Sequence, residues 1–178
     1  FTLIIGIPVG ILISKYKGVD RIITPILDFM QTMPPFVYLI PAVMFFGIGQ
    51  VPGVISTIIF AMPPAIRLTK LGLNQVPNEL EEVGHSFGLK PIEMLFKIRL
   101  PMALPSIMAG INQSIMLSLS MVVIASMIGA EGLGSRVLNG IQRMEIGIGF
   151  EAGLGVVILA VILDRITSNI KYIKNDRL

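Results

Sequence analysis

Long apolar blocks separated by short polar segments are the main pattern along this chain. A helix needs about 20 apolar residues to cross the roughly 30 Å hydrocarbon core of a bilayer. Four blocks are about that long, and the block at the start of the chain is shorter. The pattern predicts an all-α polytopic membrane protein, one transmembrane domain over residues 1–178 with a five-helix core. The predicted spans are residues 1–14, 22–46, 54–73, 102–128 and 148–166.

The first predicted span begins in the middle of its apolar pattern. Residues 1–14 are too few to cross a bilayer as a helix. They begin with neither an initiator Met nor a signal peptide. We therefore expect a truncated first span, in a chain that is one piece of a longer protein.

The composition agrees with a membrane protein and excludes several other classes. Hydrophobic residues make up 53% of the chain and charged residues 14%, against about 25% charged residues in a typical soluble domain. That charge is too low for a soluble enzyme, a disordered chain or a nucleic-acid-binding domain. The absence of cysteine excludes disulfides and thiolate metal sites. With one histidine and no tryptophan, we predict no catalytic, metal or cofactor site in this chain.

The basic residues predict the orientation in the membrane. Of the 14 lysines and arginines, all but two fall in segments that alternate onto one side of the predicted spans. The positive-inside rule makes that side cytoplasmic, so the chain begins outside, ends inside and has a cytoplasmic loop over residues 74–101. One of the two exceptions is the last residue of a glycine-rich segment, residues 129–136, which we expect to be an external loop, and the other lies seven residues after it. The cytoplasmic set is Lys15, Lys17, Arg21, Arg67, Lys70, Lys90, Lys97, Arg99, Arg165, Lys171, Lys174 and Arg177, and the exceptions are Arg136 and Arg143.

Two short helices are predicted within this cytoplasmic loop. Asn78 is the expected N-cap of the first helix, with Glu81 at the capping-box position. Gly88 has the character of a C′ residue that ends it. The second helix is predicted from Pro91 until Leu100-Pro101 stops it. The first helix has an apolar stripe that it cannot bury alone, so we expect it to dock into a partner; the stripe is Leu80, Val83, Gly84 and Phe87.

The spacing of this loop resembles the EAA loop of ATP-binding-cassette importer permeases. The matching residues are Glu82-Val83-Gly84, then Gly88, then Ile98-Arg99-Leu100-Pro101. Val83 and Gly84 stand where the family has two alanines. The resemblance implies that the loop is a coupling helix that sits in a cleft of a cytoplasmic ATPase. The predicted coupling residues are therefore Glu82, Gly84, Gly88, Leu80, Val83, Phe87, Leu100 and Pro101.

Three further segments resemble the glycine betaine/proline betaine importer permeases. They are residues 31–41, 46–49 and 121–130. The resemblance covers essentially the whole chain and implies a compatible-solute importer of the bacterial cell membrane. It also implies a second permease copy, ATPase subunits that bind ATP and Mg, and an external substrate-binding protein or fused domain.

The proline-rich second span is the main candidate for a pathway wall or gate. Prolines remove backbone hydrogen bonds, and such breaks are tolerated in a membrane only inside protein or beside a cavity. Asp28 is the one acid well inside a span, and an acid there is a functional candidate by default. The alternative, which we favour, is that Asp28 lies near the cytoplasmic end and pairs with a loop cation or caps a neighbour. The candidates here are Asp28, Met33, Pro34, Pro35 and Tyr38.

Small residues recur every four positions in the fourth span, and similarly at Gly6 and Gly10 in the first. We favour close helix packing as their role. Polar residues of the fourth span also suit a polar path, and both roles can hold on different faces; the candidates are Asn112, Gln113, Ser114 and Ser118. Tyr38 is the only tyrosine or tryptophan inside a span, so selective binding of a quaternary ammonium is expected on the external binding protein.

Two alternatives to a betaine importer remain open at this stage. The first is a permease of the same superfamily for choline, carnitine or methionine. The second is an ion-coupled secondary carrier, which usually has several ionisable residues within its spans, whereas here only Asp28 qualifies. Co-purification with an ATPase separates an importer from a carrier.

Overall fold

The computed structural model describes the backbone of residues 1–175 and the side chains of residues 1–167. This part of the chain is helical with short connections and contains no strand, which confirms the all-α prediction. The elements in chain order are α1 (Thr2–Lys15), α2 (Lys17–Thr32), α3 (Pro35–Phe46), α4 (Gln50–Asn74), α5 (Asn78–Ser86), α6 (Pro91–Met94), a π-helical segment (Leu95–Arg99), α7 (Leu100–Ser126), α8 (Leu133–Gln142) and α9 (Ile146–Asn175).

The number of helices that can span a membrane agrees with the apolar pattern. Three stretches are long and apolar enough by length and composition, namely Gln50–Asn74, Pro91–Ser126 and Ile146–Thr167. The bent pair of α2 and α3 adds a fourth if it counts as one span. The apolar helix α1 is shorter, with 14 residues. The described residues therefore contain five apolar units where five were predicted.

The core lies where α4 is packed between α1 and α7. A Cβ on Gly10 of α1 would lie 2.6 Å from the Thr69 Cβ of α4. A Cβ on Gly110 of α7 would lie 3.2 Å from the Pro64 carbonyl oxygen of α4. Such close approach requires glycine, because any side chain would push the helices apart. The predicted packing role of these glycines is confirmed.

The predicted span 22–46 is not one helix. It consists of α2 and α3, whose axes differ by 101°. Met33, between them, has extended backbone angles, φ −75° and ψ 131°, as expected for a residue before proline. Pro34 and Pro35 have no N–H, so the last turn of α2 loses two hydrogen-bond donors there. The sequence pointed to the prolines of this segment, but it did not predict so large a bend.

The prediction that Leu100-Pro101 ends a helix is wrong. A helical stretch runs without interruption from Pro91 to Ser126. It changes to π-helical pairing at Leu95–Arg99, directly before Pro101. A proline ring inside a helix clashes with the carbonyl four residues earlier, here Lys97. The wider π turn gives that carbonyl room, so the helix continues through the proline.

The segment that we expect to be an external loop is also more ordered than predicted. Within the residues expected to form a glycine-rich loop, α8 begins at Leu133 and continues to Gln142. Gly132 precedes it with φ +132°, a backbone conformation that favours glycine. Gly132, one of the glycines that suggested a loop, is therefore the residue directly before the helix.

Candidate coupling loop and transport pathway

The coupling helix α5 begins differently from the prediction. Pro77 is its N-cap, Asn78 is its first helical residue, and no side chain caps the start. The fixed φ of Pro77 sets the chain direction, and its carbonyl accepts the Leu80 N–H at 3.2 Å. The predicted cap at Asn78 is therefore wrong by one residue. Glu81 does not complete a capping box, because its carboxylate pairs with Arg99 instead.

The end of α5 confirms the expected turn. Gly88 has φ +74°. Its N–H donates to the His85 carbonyl at 2.9 Å, and the Leu89 N–H donates to the Gly84 carbonyl at 3.1 Å. These two bonds form the Schellman arrangement, which needs a left-handed residue where Gly88 stands.

The apolar stripe of α5 divides between an inner and an outer side. Gly84 lies against the rest of the chain, and a Cβ there would be 2.6 Å from the Met94 Cε. Val83 and Phe87 are 50% and 83% exposed. Glu82 is exposed as well and has no ion pair among the described residues. This is the unburied apolar surface that the sequence predicted for a docking helix.

Arg99 joins α5 to the end of α4. Its Nε lies 3.0 Å from Oε1 of Glu81, with both side chains about one-quarter to one-third exposed. One terminal nitrogen of its guanidinium donates to the Leu73 carbonyl at 3.2 Å. Sequence reasoning missed this role, because Arg99 occupies the unspecified position of the Ile-x-Leu-Pro motif. A basic side chain directly before an apolar span was the available signal.

The rest of the coupling motif lies at the start of α7. Leu100 packs against the buried cluster formed by Leu73, Ala103 and Ile107. Pro101 is the second residue of α7, inside the continuous helical stretch Pro91–Ser126, and the π-helical turn before it accommodates its missing N–H. The motif therefore anchors the coupling loop on the core between α4 and α7.

Glu93 and Lys97 form a separate ion pair on the exposed side of the coupling loop. The Lys90 N–H donates to the Glu93 carboxylate at 3.0 Å, and the Lys97 ammonium lies 3.0 Å from it. These two contacts, the backbone bond first, hold the pKa of Glu93 below its usual value. The pair lies within one helical stretch and connects no other element.

The candidate acid in the second span has a cationic partner. Asp28 pairs with Arg67, so the favoured alternative is right about a cationic partner. Arg67 lies in α4 rather than in a loop. Two turns earlier, Asp20 pairs with Lys70 and accepts a hydrogen bond from Thr24. Two ion pairs therefore connect α2 to the carboxyl-terminal half of α4.

The bend between α2 and α3 is closed by Tyr38. Its hydroxyl donates to the Met30 carbonyl. In a continuous helix that carbonyl would accept the N–H of residue 34, which is a proline and has none. Tyr38 therefore supplies the donor that Pro34 lacks. The Tyr38 ring packs edge-on against Phe60 at 5.6 Å, and Ser56 donates to the Tyr38 carbonyl at 3.0 Å.

The polar candidates of α7 lie on different faces. Ser114 is buried, with 2% of its surface exposed. The Asn112 oxygen accepts a hydrogen bond from the Thr167 hydroxyl at 2.7 Å, which connects α7 to α9. Gln113 is exposed at the centre of α7. An amide at that depth is costly against lipid, so its face suits a second protein chain or a water-filled path.

Ser118 lines a cavity of about 450 Å³ between α4 and α7. Its lining includes polar side chains from several elements, namely Thr2, Gln50, Thr57, Ser118 and Glu131. The predicted topology places the cavity towards the outside. The cavity is a recess beside the helix pair that forms the core, with a mainly apolar lining that includes these polar side chains.

The chain matches the family described as "Binding-protein-dependent transport system inner membrane component" over residues 4–171. Since this match covers nearly the whole chain, the chain belongs to that family of membrane permeases. The resemblance read from the EAA-like spacing is thereby confirmed at family level.

Three curated relatives show which members of this family the chain is similar to. The chain is 56% identical over 176 residues to the glycine betaine transport system permease protein OpuAB of Bacillus subtilis, which covers 99% of this chain and 62% of that protein. It is 59% identical to the glycine betaine/proline betaine permease ProW of Escherichia coli, covering 94% and 47%. It is 61% identical to the glycine betaine/carnitine permease GbuB of Listeria monocytogenes, covering 93% and 58%. The chain thus spans about half to three-fifths of the length of these relatives.

Solved structures give the same fold. The chain superposes on a chain of the inward-facing MetNI methionine ABC transporter with a TM-score of 0.80 at 23% identity, covering 95% of this chain and 85% of that one. An amino acid ABC transporter with histidines gives a TM-score of 0.67 at 19% identity, covering 99% and 87%. At these identities the likeness concerns the fold alone.

Proposed function

We propose that this chain is the transmembrane subunit of an ATP-driven, binding-protein-dependent importer for glycine betaine or a related quaternary ammonium osmoprotectant. The substrate is inferred from the 56–61% identity to three permeases named for glycine betaine. All three names include glycine betaine, whereas proline betaine and carnitine each occur in one of them, so glycine betaine is the part that transfers. The proposed location is the bacterial inner membrane, with the chain starting outside and ending in the cytoplasm.

The coupling helix α5 is proposed to receive the movement that ATP hydrolysis drives in a partner ATPase. A cytoplasmic ATPase would bind ATP and Mg and hydrolyse ATP, and this chain would perform no covalent chemistry. The exposed Val83 and Phe87 would enter a cleft of that ATPase, with Glu82 at its polar edge. Two observations support this. The helix α5 is well defined and ends in a Schellman turn. It nevertheless leaves apolar side chains exposed. Exposed apolar patches of this kind mark interaction sites.

The proposed pathway lies between two copies of this chain. Gln113 is exposed at mid-span, and a water-filled path or a second copy would remove it from lipid. Ser118, which lines the recess between α4 and α7, would line the outer part of the same path. The bend at Met33, Pro34 and Pro35 would form its wall or gate. Symmetric pairing is the usual oligomeric solution for such a half-bundle.

Substrate selection is proposed to lie outside this chain. A quaternary ammonium is held best by aromatic rings. Tyr38 already packs on Phe60 and uses its hydroxyl at the bend, so it is not free to form such a cage. An external binding protein, or a domain fused to the permease, would therefore supply the selective site.

The test is uptake by proteoliposomes that contain the whole permease as its gene encodes it, with its ATPase and binding protein. The proposal expects ATP-dependent accumulation of labelled glycine betaine, competed more strongly by unlabelled betaine than by choline, carnitine or methionine. Uptake driven by an ion gradient without ATP would show a secondary carrier. Strongest competition by another solute would reassign the substrate and leave the importer class intact.

A further inference from the structure

We infer that Arg99 is a positioning residue that fixes the coupling helix α5 to the end of α4, so that α4 moves together with α5. The inference rests on the proposed function, since it concerns how movement at the ATPase reaches the spans. It assigns a role to a residue at the unspecified position of the Ile-x-Leu-Pro motif.

One guanidinium makes both contacts. The Nε of Arg99 lies 3.0 Å from the Glu81 carboxylate on α5. A terminal nitrogen donates at 3.2 Å to the Leu73 carbonyl, near the end of α4. Leu73 is within the last four residues of α4, so its carbonyl has no helical partner and Arg99 supplies one. The guanidinium forms an ion pair with Glu81, in which Nε makes no hydrogen bond among the described residues, and a hydrogen bond with Leu73. Its permanent charge and planar shape allow one arginine side chain to make both contacts.

The rest of α5 is held by little else. Gly84 contacts Met94 and Ile98, side chains of its own loop. Between α5 and α1 lies an open cavity of about 510 Å³, so α5 does not pack on α1. Among the described residues, the Glu81–Arg99 pair is the ion pair that connects α5 to another helical element.

The π segment explains how Arg99 reaches both partners. The segment Leu95–Arg99 ends at this residue, and its wider turn rotates the following side chains relative to a regular α-helix. Pro101 lies two residues later and favours that widening. Pro101 and Arg99 therefore act together, because the proline favours the backbone that aims the guanidinium.

The contacts of α4 indicate where movement would go next. Lys70 and Arg67 of α4 pair with Asp20 and Asp28 of α2. The helix α2 leads directly into the bend before α3. Arg99 thus links α5 to α4 through an ion pair and a bond to a backbone carbonyl, and two ion pairs link α4 to the helix that precedes the bend. Such a contiguous network can carry coupling between distant sites.

The experiment compares transported betaine per ATP hydrolysed in the reconstituted, complete importer. The variants are Glu81→Gln, Arg99→Gln and Arg99→Lys. We expect Glu81→Gln and Arg99→Gln to retain ATPase activity and to lose about fivefold or more in betaine per ATP, the range of a typical coupling free energy. Arg99→Lys keeps the charge without the fork, so its loss should be smaller. A charge swap, Glu81→Arg with Arg99→Glu, restores the ion pair and should recover part of the ratio.

Lys97→Gln is the matched control. It removes another ion pair of the same 3.0 Å separation, from the same loop, that connects no second element. Its ratio should equal that of the unchanged protein. A second readout is amide hydrogen exchange over α5, which should be faster in Glu81→Gln than in Lys97→Gln because α5 is released. This readout stands even if Arg99→Gln fails to assemble.

The outcomes separate the two proposals. If the unchanged complex shows no ATP-driven betaine uptake, the proposed function fails. If it transports normally, and Glu81→Gln keeps both its transport per ATP and the exchange rate of its α5, the positioning role of Arg99 is overturned.

Discussion

The α4–α7 pair and the coupling helix α5 bury their apolar residues in different ways. In the pair, Ala61 of α4 and Met121 of α7 have no exposed surface. On α5, Val83 and Phe87 are 50% and 83% exposed. The pair is packed by contacts inside this chain, whereas the described chain leaves these apolar side chains of α5 uncovered. Substitutions in the first region should therefore change stability, and substitutions in the second should change assembly and transport.

The largest expected effect is on the stability of the core. Gly72→Leu places a Cβ 2.7 Å from the Ser106 Cβ and 2.9 Å from the Ala103 carbonyl oxygen. Since backbone cannot yield cheaply, we expect a loss of about 1–3 kcal/mol or more and a marked fall in the amount of folded protein. Thermal unfolding in detergent, followed by size-exclusion chromatography, measures it. Gly153→Leu on α9 has no atom within 4 Å of its Cβ and is the control.

The second prediction concerns the turn after α5. Gly88→Leu forces a side chain into the left-handed region at φ +74°, at a cost of about 1–2 kcal/mol. No atom lies within 4 Å of the added Cβ, so the cost is local and the spans should still insert. We expect lost betaine uptake or a lost ATPase at normal membrane level. Ser86→Ala, two residues away, should behave as the unchanged protein. Normal uptake by the Gly88 variant would remove the loop from the coupling role.

The third prediction concerns the bend. Tyr38→Phe removes the donor that satisfies the Met30 carbonyl opposite Pro34. An unsatisfied buried acceptor costs about 1–3 kcal/mol, so the thermal midpoint should fall although the ring contact with Phe60 remains. Tyr16→Phe, at an exposed tyrosine, is the control. Equal midpoints for the two variants would show that the hydroxyl does not hold the bend.

The smallest effect is expected at the ion pair between α2 and α4. The Asp28 side chain is 58% exposed in this chain, so solvent screens its pair with Arg67. Asp28→Asn should change stability by no more than about 1 kcal/mol. A much larger loss in the assembled importer, compared with the isolated chain, would show that a partner buries this pair.

The sequence predicted the features that depend on neighbouring residues. The apolar blocks located the long helices because burial in lipid needs unbroken apolar stretches. Gly88 was identified as a left-handed turn because few other residues adopt that conformation. The exposed stripe on α5 followed from helical spacing alone.

The features that the sequence did not predict depend on contacts between distant residues. The Arg99 bond to Leu73 joins positions 26 apart, and the Asn112 bond to Thr167 joins positions 55 apart. No local pattern encodes such pairs. The failure at Leu100-Pro101 has a different cause, because a proline can be accommodated by a π turn as well as by a helix end. Nor did the pattern indicate that the Tyr38 hydroxyl replaces a missing proline N–H.

The central claim is that α5 docks in a cytoplasmic ATPase while α8 lies on the opposite side of the membrane. The chain has no cysteine, so single cysteines can be placed without background. Ser86→Cys on α5 and Ser135→Cys on α8 are matched, nearly isosteric substitutions, examined in intact cells and in the purified complex. The account predicts that the Ser135 variant reacts with an impermeant external reagent, and that the Ser86 variant is protected outside and cross-links to the ATPase. Labelling of the Ser86 variant from outside, with no cross-link to the ATPase, would contradict it.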